Sequence, residues 1–317
     1  MAPTDISQPT IDWLLDSDPS IRWQVMSDLT DEPEDVVAAE RGRVATEGWG
    51  GRLLALQGSD GRWGGGTYQP KWTSTTNTLT LLRVMGIDPA SEQARSAVSL
   101  VREKVKWNDH PDAPWADNPY FAGEVEPCIN ARVIAIGSYF GQDVQGLIDR
   151  LLGEQLPDGG WNCEAEDGSS RSSFHTTINV LEAFLEHERA TGTTDTTGAR
   201  LRGEEYLLER RMFHRLSTGE VVDPAWTYFF FPTWWHYDVL RGLDYLRSAG
   251  VKSDERCADA IALVHERRGE DGRWAMHCSY PGEVHFDIDG GEGQPSRWIT
   301  LCALRVLDWS SGHSTVK

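Results

Sequence analysis

Three stretches of this chain spell out one turn: Gln57-Gly-Ser-Asp-Gly-Arg-Trp63, Gln155-Leu-Pro-Asp-Gly-Gly-Trp161 and Arg268-Gly-Glu-Asp-Gly-Arg-Trp274. Asp-Gly supplies the reversal, because glycine accepts positive φ without a steric penalty. A tryptophan a few residues past a helix end can then pack back over that end. Each copy lies between two segments with helical spacing, so the sequence describes helical hairpins on a loose internal repeat of irregular period. This restricts the fold to an all-α architecture of stacked or ring-closed helix pairs.

The first helix of each pair is amphipathic. Residues 35–57 are expected as one helix, and 90–106, 142–155, 198–214 and 253–268 repeat its pattern, with Arg, Glu and Asp opposite Ala, Leu and Val. The second helices carry less charge and span 72–85, 128–140, 174–185, 236–249 and 298–309. Several begin after Pro, Ser or Thr, and three end at Gly86, Gly141 and Gly250, as helix boundaries do. The charged set belongs outside and the less charged set inside. Segments 11–15 and 20–29 flank an Asp-Pro break and supply a sixth hairpin within residues 1–34. Six such hairpins are expected to close into a single α/α toroid over residues 1–317. An open helical array would need polar caps at both ends, and no cap is visible.

Forty-nine acids against thirty Lys and Arg give a formal charge of -19. Such a field repels nucleic acid and anionic membrane, and no compact basic cluster offsets it. The N-terminus lacks a basic region followed by an apolar run, so no secretion signal is expected. No apolar stretch approaches the length of a membrane span. The five cysteines, at 128, 163, 257, 278 and 302, are odd in number and lack the spacing of a disulfide framework. A reducing cytoplasm with free thiols fits that usage.

Aligning the inner helices on their terminal glycines places Thr73, Cys128 and Tyr237 at one position, and the apolar pattern puts His175 there too. Cys163 lies in the loop before the His175 helix. Cys128, Cys163 and His175 are therefore expected to converge at one mouth. Thiolate and imidazole are the ligands zinc prefers, and three protein ligands leave an open position for catalysis. Helix N-termini at that mouth favour thiolate over thiol. Glu124, Glu164, Glu166 and Asp167 crowd the same place, and Glu126 or Glu164 is the candidate acid/base. Arg171 and Arg297 precede inner helices and are candidates to hold a substrate carboxylate or phosphate. Trp72, Tyr237 and Trp298, at inner-helix starts, are candidate substrate-lining aromatics. His277, Cys278 and His285 follow Trp274 as a weaker second cluster.

The Gln-x-x-Asp-Gly-x-Trp turns resemble the glutamine–tryptophan repeats of squalene–hopene and oxidosqualene cyclases, and the hairpin order is similar to that of protein prenyltransferase β-subunits. The resemblance covers nearly the whole chain as a fold and implies an α/α toroid, but says little about the reaction. Farnesyltransferase-like subunits hold zinc through an Asp-x-Cys pair opening one inner helix and a His opening the next. Here Glu126-Pro127-Cys128 stands in place of Asp-x-Cys, and Phe174-His175-Thr176-Thr177 resembles the Tyr-His-Thr of those subunits. The departures are Glu for Asp and the additional Cys163. The resemblance thus leaves Glu126 or Cys163 as third ligand. Cys163 is preferred, giving a Cys-Cys-His set like that of lanthipeptide cyclases, which are also toroids.

The expected function is a zinc-dependent enzyme acting on a small hydrophobic or amphiphilic substrate. Protein prenylation is not expected of a shortened toroid without a helical partner subunit. Squalene–hopene cyclases protonate their substrate with the middle acid of Asp-x-Asp-Asp, and the nearest string here is Asp287-Ile288-Asp289-Gly290. A metal-free cyclase would need a substitute acid, for which His236 and Asp238 are candidates at the start of an inner helix, among aromatics able to stabilise a cation. A non-catalytic binding toroid is the third reading.

Overall fold

The computed structural model describes residues 6–277 and 279–312. Its α-helices begin with α1 (Gln8–Leu15), α2 (Pro19–Asp28), α3 (Glu34–Gly42), α4 (Gly48–Ala55) and α5 (Thr75–Val84). There follow α6 (Glu92–Lys104), α7 (Pro127–Tyr139), α8 (Gln145–Gly153) and α9 (Phe174–Thr191). The last are α10 (Thr197–Glu209), α11 (Val239–Ser248), α12 (Ala258–Glu266) and α13 (Arg297–Ser310). Among the described residues there are isolated β-bridges but no strand, so the protein is all-α. No described helix is long and apolar enough to cross a membrane.

The three turns share one set of hydrogen bonds. The indole Nε1–H of Trp63, Trp161 and Trp274 donates to the carbonyl ten residues earlier, at Leu53, Leu151 and Val264, over 2.6, 2.7 and 2.7 Å. The backbone N–H of each tryptophan donates to a threonine hydroxyl of the next inner helix: Thr75, Thr177 or Thr300. All three tryptophans are fully buried. Gln57 and Gln155 close their turns on the carbonyls of Gly61 and Gly159, and each also reaches the following outer helix, at Ala97 or Ala199. Arg268 reaches the Gly272 carbonyl in the third copy.

The chain divides into two compact units. One comprises residues 38–203 and 281–286; the other comprises 1–37, 204–280 and 287–317. In the first, α7 is buried around almost its whole circumference and packs along α9 and against α5. The outer α6 buries only Ala94, Ala97, Val98 and Val101, the stripe expected of a surface helix. In the second, α11 packs on α13 and α13 on α2, where Arg305 reaches Asp28 at 2.5 Å and Gln24 at 3.0 Å.

Several boundaries differ from expectation, including that of 198–214, whose helix ends at Glu209. Residues 35–57 are not one helix: α3 passes into a 3-10 turn at Arg43–Ala45, and Gly48, at φ +58, breaks the run where α4 starts. The segment 236–249 becomes helical only at Val239. Asp238 is its N-cap, its carboxylate accepting the Arg241 N–H at 2.8 Å. His236 and Tyr237 therefore precede the helix. In addition, α9 runs beyond Leu185 to Thr191 and stops where Gly192 turns left-handed.

Candidate metal centre

The segment leading into α7 is positioned by its own side chains. Gly123 has φ +71, and a Cβ there would lie 2.3 Å from the Asn130 side-chain oxygen. That oxygen accepts the Glu124 N–H at 2.9 Å, while the Asn130 amide donates to the Glu124 carbonyl at 3.0 Å. Arg150, on α8, donates to the carbonyls of Glu124 and Val125 at 2.8 and 2.7 Å. The chain then enters α7 through Glu126 as N-cap and Pro127 at the first helical position, where its missing N–H costs nothing. Cys128 follows in the first turn.

Cys163 comes from a separate loop. Asn162 caps the 3-10 turn Cys163–Ala165 by accepting the Glu164 N–H at 3.0 Å, and its amide ties the loop to the Arg171 carbonyl at 2.7 Å. Ser173 caps α9, so that His175 and Thr176 occupy its first turn.

These elements bring Glu126, Cys128 and Cys163 together, with one donor atom from each lying within 4.8 Å of the others. Cys128 Sγ lies 3.7 Å from Glu126 Oε2, and Cys163 Sγ lies 3.4 Å from the Thr176 hydroxyl. Cys128 is buried, Cys163 half-buried and Glu126 exposed. The two sulfurs are hydrogen-bonded to one another. The hydrogen bond to Cys163, with burial and the Glu126 charge, lifts Cys128 well above the ordinary thiol range. The same bond, helped by Thr176 and the Cys128 backbone N–H, lowers Cys163 against its own desolvation. That N–H is one of the donors a helix start leaves without an intrahelical acceptor.

A pocket of about 420 Å³ opens beside the sulfurs, lined by Val125, Glu126, Cys163, Glu164, Glu166 and Asp167. Arg150 pairs with Glu166 at 3.3 Å. Glu124 is 4 % exposed, and burial pushes its carboxyl up to about 7 against hydrogen bonds from the Val125 and Glu126 N–H groups. Two thiols and a carboxylate are donor types that zinc accepts, so the set fits the ion in chemistry.

His175 is half-buried at the second position of α9 and is not in the mutually close set. Arg171 is exposed, and its carbonyl accepts from Asn162 and Ser169. Trp72 is buried, its indole donating to the Pro281 carbonyl at 2.9 Å. Sequence reasoning passed over Tyr68 and Arg132. The Tyr68 hydroxyl is pushed up to about 12 chiefly by burial, and Arg132, Cys128 and Glu126 all act on it. Arg132 lies one turn along α7 from Cys128, on the same face, and donates to Asn77 at 2.6 Å and Thr80 at 3.0 Å. The spacing 128/132 was the available signal.

Most of the remaining candidates lie in the other unit. Tyr237 is fully buried and donates to the Met212 carbonyl at 2.5 Å. Asp238 is 1 % exposed, and burial pushes its carboxyl up to about 7 despite hydrogen bonds from backbone N–H groups of Arg241, Phe230 and Leu240. His236 is stacked between Trp235 and Tyr280 at 3.7 and 3.6 Å. Trp298 stacks on Phe231 at 4.4 Å. Arg297 lies over the Trp13 ring and donates to the Trp13 and Asp16 carbonyls. His277 accepts the Phe229 N–H at 3.4 Å in this unit. In the Cys128 unit, His285 meets the Thr78 hydroxyl at 2.8 Å. Cys278 lies outside the described residues.

No protein-family model matches the chain, and no curated protein matches it.

Proposed function

We propose that this chain is a zinc-dependent enzyme, of the toroid class of cyclases and prenyltransferases, acting on a small amphiphilic substrate. The observation that carries the reading is the convergence of Cys128 and Cys163, thirty-five positions apart in sequence (163 minus 128), with Glu126 beside a pocket. Cys128, Cys163 and His175 are the ligands in this proposal, and zinc held there would polarise a carbonyl or activate a water or thiol. Thr176 holds the Cys163 sulfur, and Arg150 holds the carbonyls that aim the start of α7. Glu126 stands ready to take the Cys128 proton, and Glu164 faces the pocket as the acid/base. The acidic wall favours a substrate whose polar end is positively charged.

The test is metal content of protein purified without a histidine tag. About one zinc per chain is expected, lost in Cys128→Ala, Cys163→Ala and His175→Ala and kept in Glu126→Gln. Metal kept in His175→Ala but lost in Glu126→Gln would move the third ligand to Glu126. Stoichiometric zinc in none of these proteins, wild type included, would end the reading.

A second reading, a metal-free isoprenoid cyclase, is favoured by the buried Asp238 carboxyl, which burial pushes up to about 7, and by the Trp226–Tyr237 ring contact at 5.3 Å. It expects Asp238→Asn to abolish turnover of an isoprenoid that chelators leave untouched.

A further inference from the structure

The pocket beside the two sulfurs is far roomier than a metal ion needs, and its wall is acidic. We propose that Cys128 and Cys163 form a thiol–disulfide exchange pair selective for small disulfides that carry positive charge. Cys163 lines the pocket and is the accessible sulfur, while Cys128 lies buried behind it, within 4.8 Å. That arrangement supplies an attacking thiol and a resolving thiol. Cys163 sits in a three-residue 3-10 turn rather than in a long helix, so the sulfurs can close to bonding distance by adjusting one loop. The other described thiols, Cys257 and Cys302, do not line this pocket.

Selectivity follows from charge. Glu126, Glu164, Glu166 and Asp167 surround the opening, and Arg150 pairs with Glu166 alone among them. Their field draws in ammonium-bearing reagents and repels carboxylate-bearing ones.

The chemistry balances with a small aliphatic disulfide, RSSR, as oxidant. Cys163, its proton lost to water in the pocket, attacks one sulfur of RSSR, breaks that bond and expels RS⁻. Cys128 passes its proton to Glu126, 3.7 Å away, and attacks Cys163 Sγ. The second RS⁻ leaves and the Cys128–Cys163 disulfide closes. Two protein thiols lose two electrons, and RSSR becomes two thiols after taking up two protons. The inference needs only the two thiols and stands apart from the zinc reading; a metal held by both sulfurs would protect them.

The experiment uses the full chain, treated with chelator and desalted, and exposed at low salt to cystamine or to oxidised glutathione. Rates are followed by alkylation and peptide mass mapping, each normalised to the reagent's rate with a neutral small thiol. The expected product is the Cys128–Cys163 cross-link, formed at least about tenfold faster with cystamine, with the preference shrinking toward unity near 0.5 M salt. Cys128→Ser should stop at a mixed disulfide on Cys163; should that variant fail to fold, the wild-type map still decides. A wild-type reaction that halts at the mixed disulfide, links another pair of cysteines, or shows no low-salt preference overturns the proposal.

Discussion

Asn130 holds the backbone of Glu124 from both sides, and this one side chain sets where α7 begins. Asn130→Ala leaves the Glu124 N–H without its acceptor in a buried place, while Arg150 still serves the carbonyl. We expect a loss of about 1–3 kcal/mol in urea unfolding and, where the proposed zinc is bound, a lower zinc content. Equal stability and equal zinc would show that the clamp is dispensable. At this scale the approach of Cys163 to Cys128 was legible in the sequence, both being chemically conspicuous residues near helix starts; that Glu126 rather than His175 completes the close set was not. The uses of Asp238 and Arg297 were not, because capping a helix and covering Trp13 depend on neighbours distant in sequence or on exact boundaries.

Three of the hairpins are each fastened by an indole that reaches back ten residues and by a backbone N–H that reaches forward to a threonine. Trp161→Phe keeps a ring in the core but removes the bond to Leu151 and orphans that carbonyl. The expected cost is about 1–2 kcal/mol, read as a lower denaturation midpoint with unchanged far-ultraviolet dichroism. The order of hairpins was legible because the Asp-Gly-x-Trp turn recurs, and the helices at 90–106, 142–155 and 298–309 lie close to their expected limits. The break within 35–57 was not, since its hydrophobic spacing runs on regardless. A left-handed Gly48 decides it, and a glycine in a helical pattern does not announce its φ.

Across the whole molecule, pH should act through two acids. Glu124 and Asp238 bind protons more tightly folded than unfolded, both being pushed up to about 7 by burial. Their contribution is complete below the unfolded carboxyl values near about 4 and is lost as pH rises through about 7. Stability should therefore fall between about pH 5 and 7, by up to about 3 kcal/mol for each group. Glu124→Gln and Asp238→Asn should each flatten that slope, and asparagine still caps α11. Asp28, Asp195 and Asp254 shift downward, so their effect falls in a lower window. A denaturation series in which the double substitution leaves the slope unchanged would refute this.

The stretch between each tryptophan and its threonine partner varies from 12 residues to 16 to 26, yet the same bond closes all three. Doubling such a span adds only about 0.6 kcal/mol of closure entropy. The inserts are thus free to lengthen and change character while the helices that anchor them stay put. Cys163 rides on one of these inserts, so new reactivity can be tried there with little harm to folding.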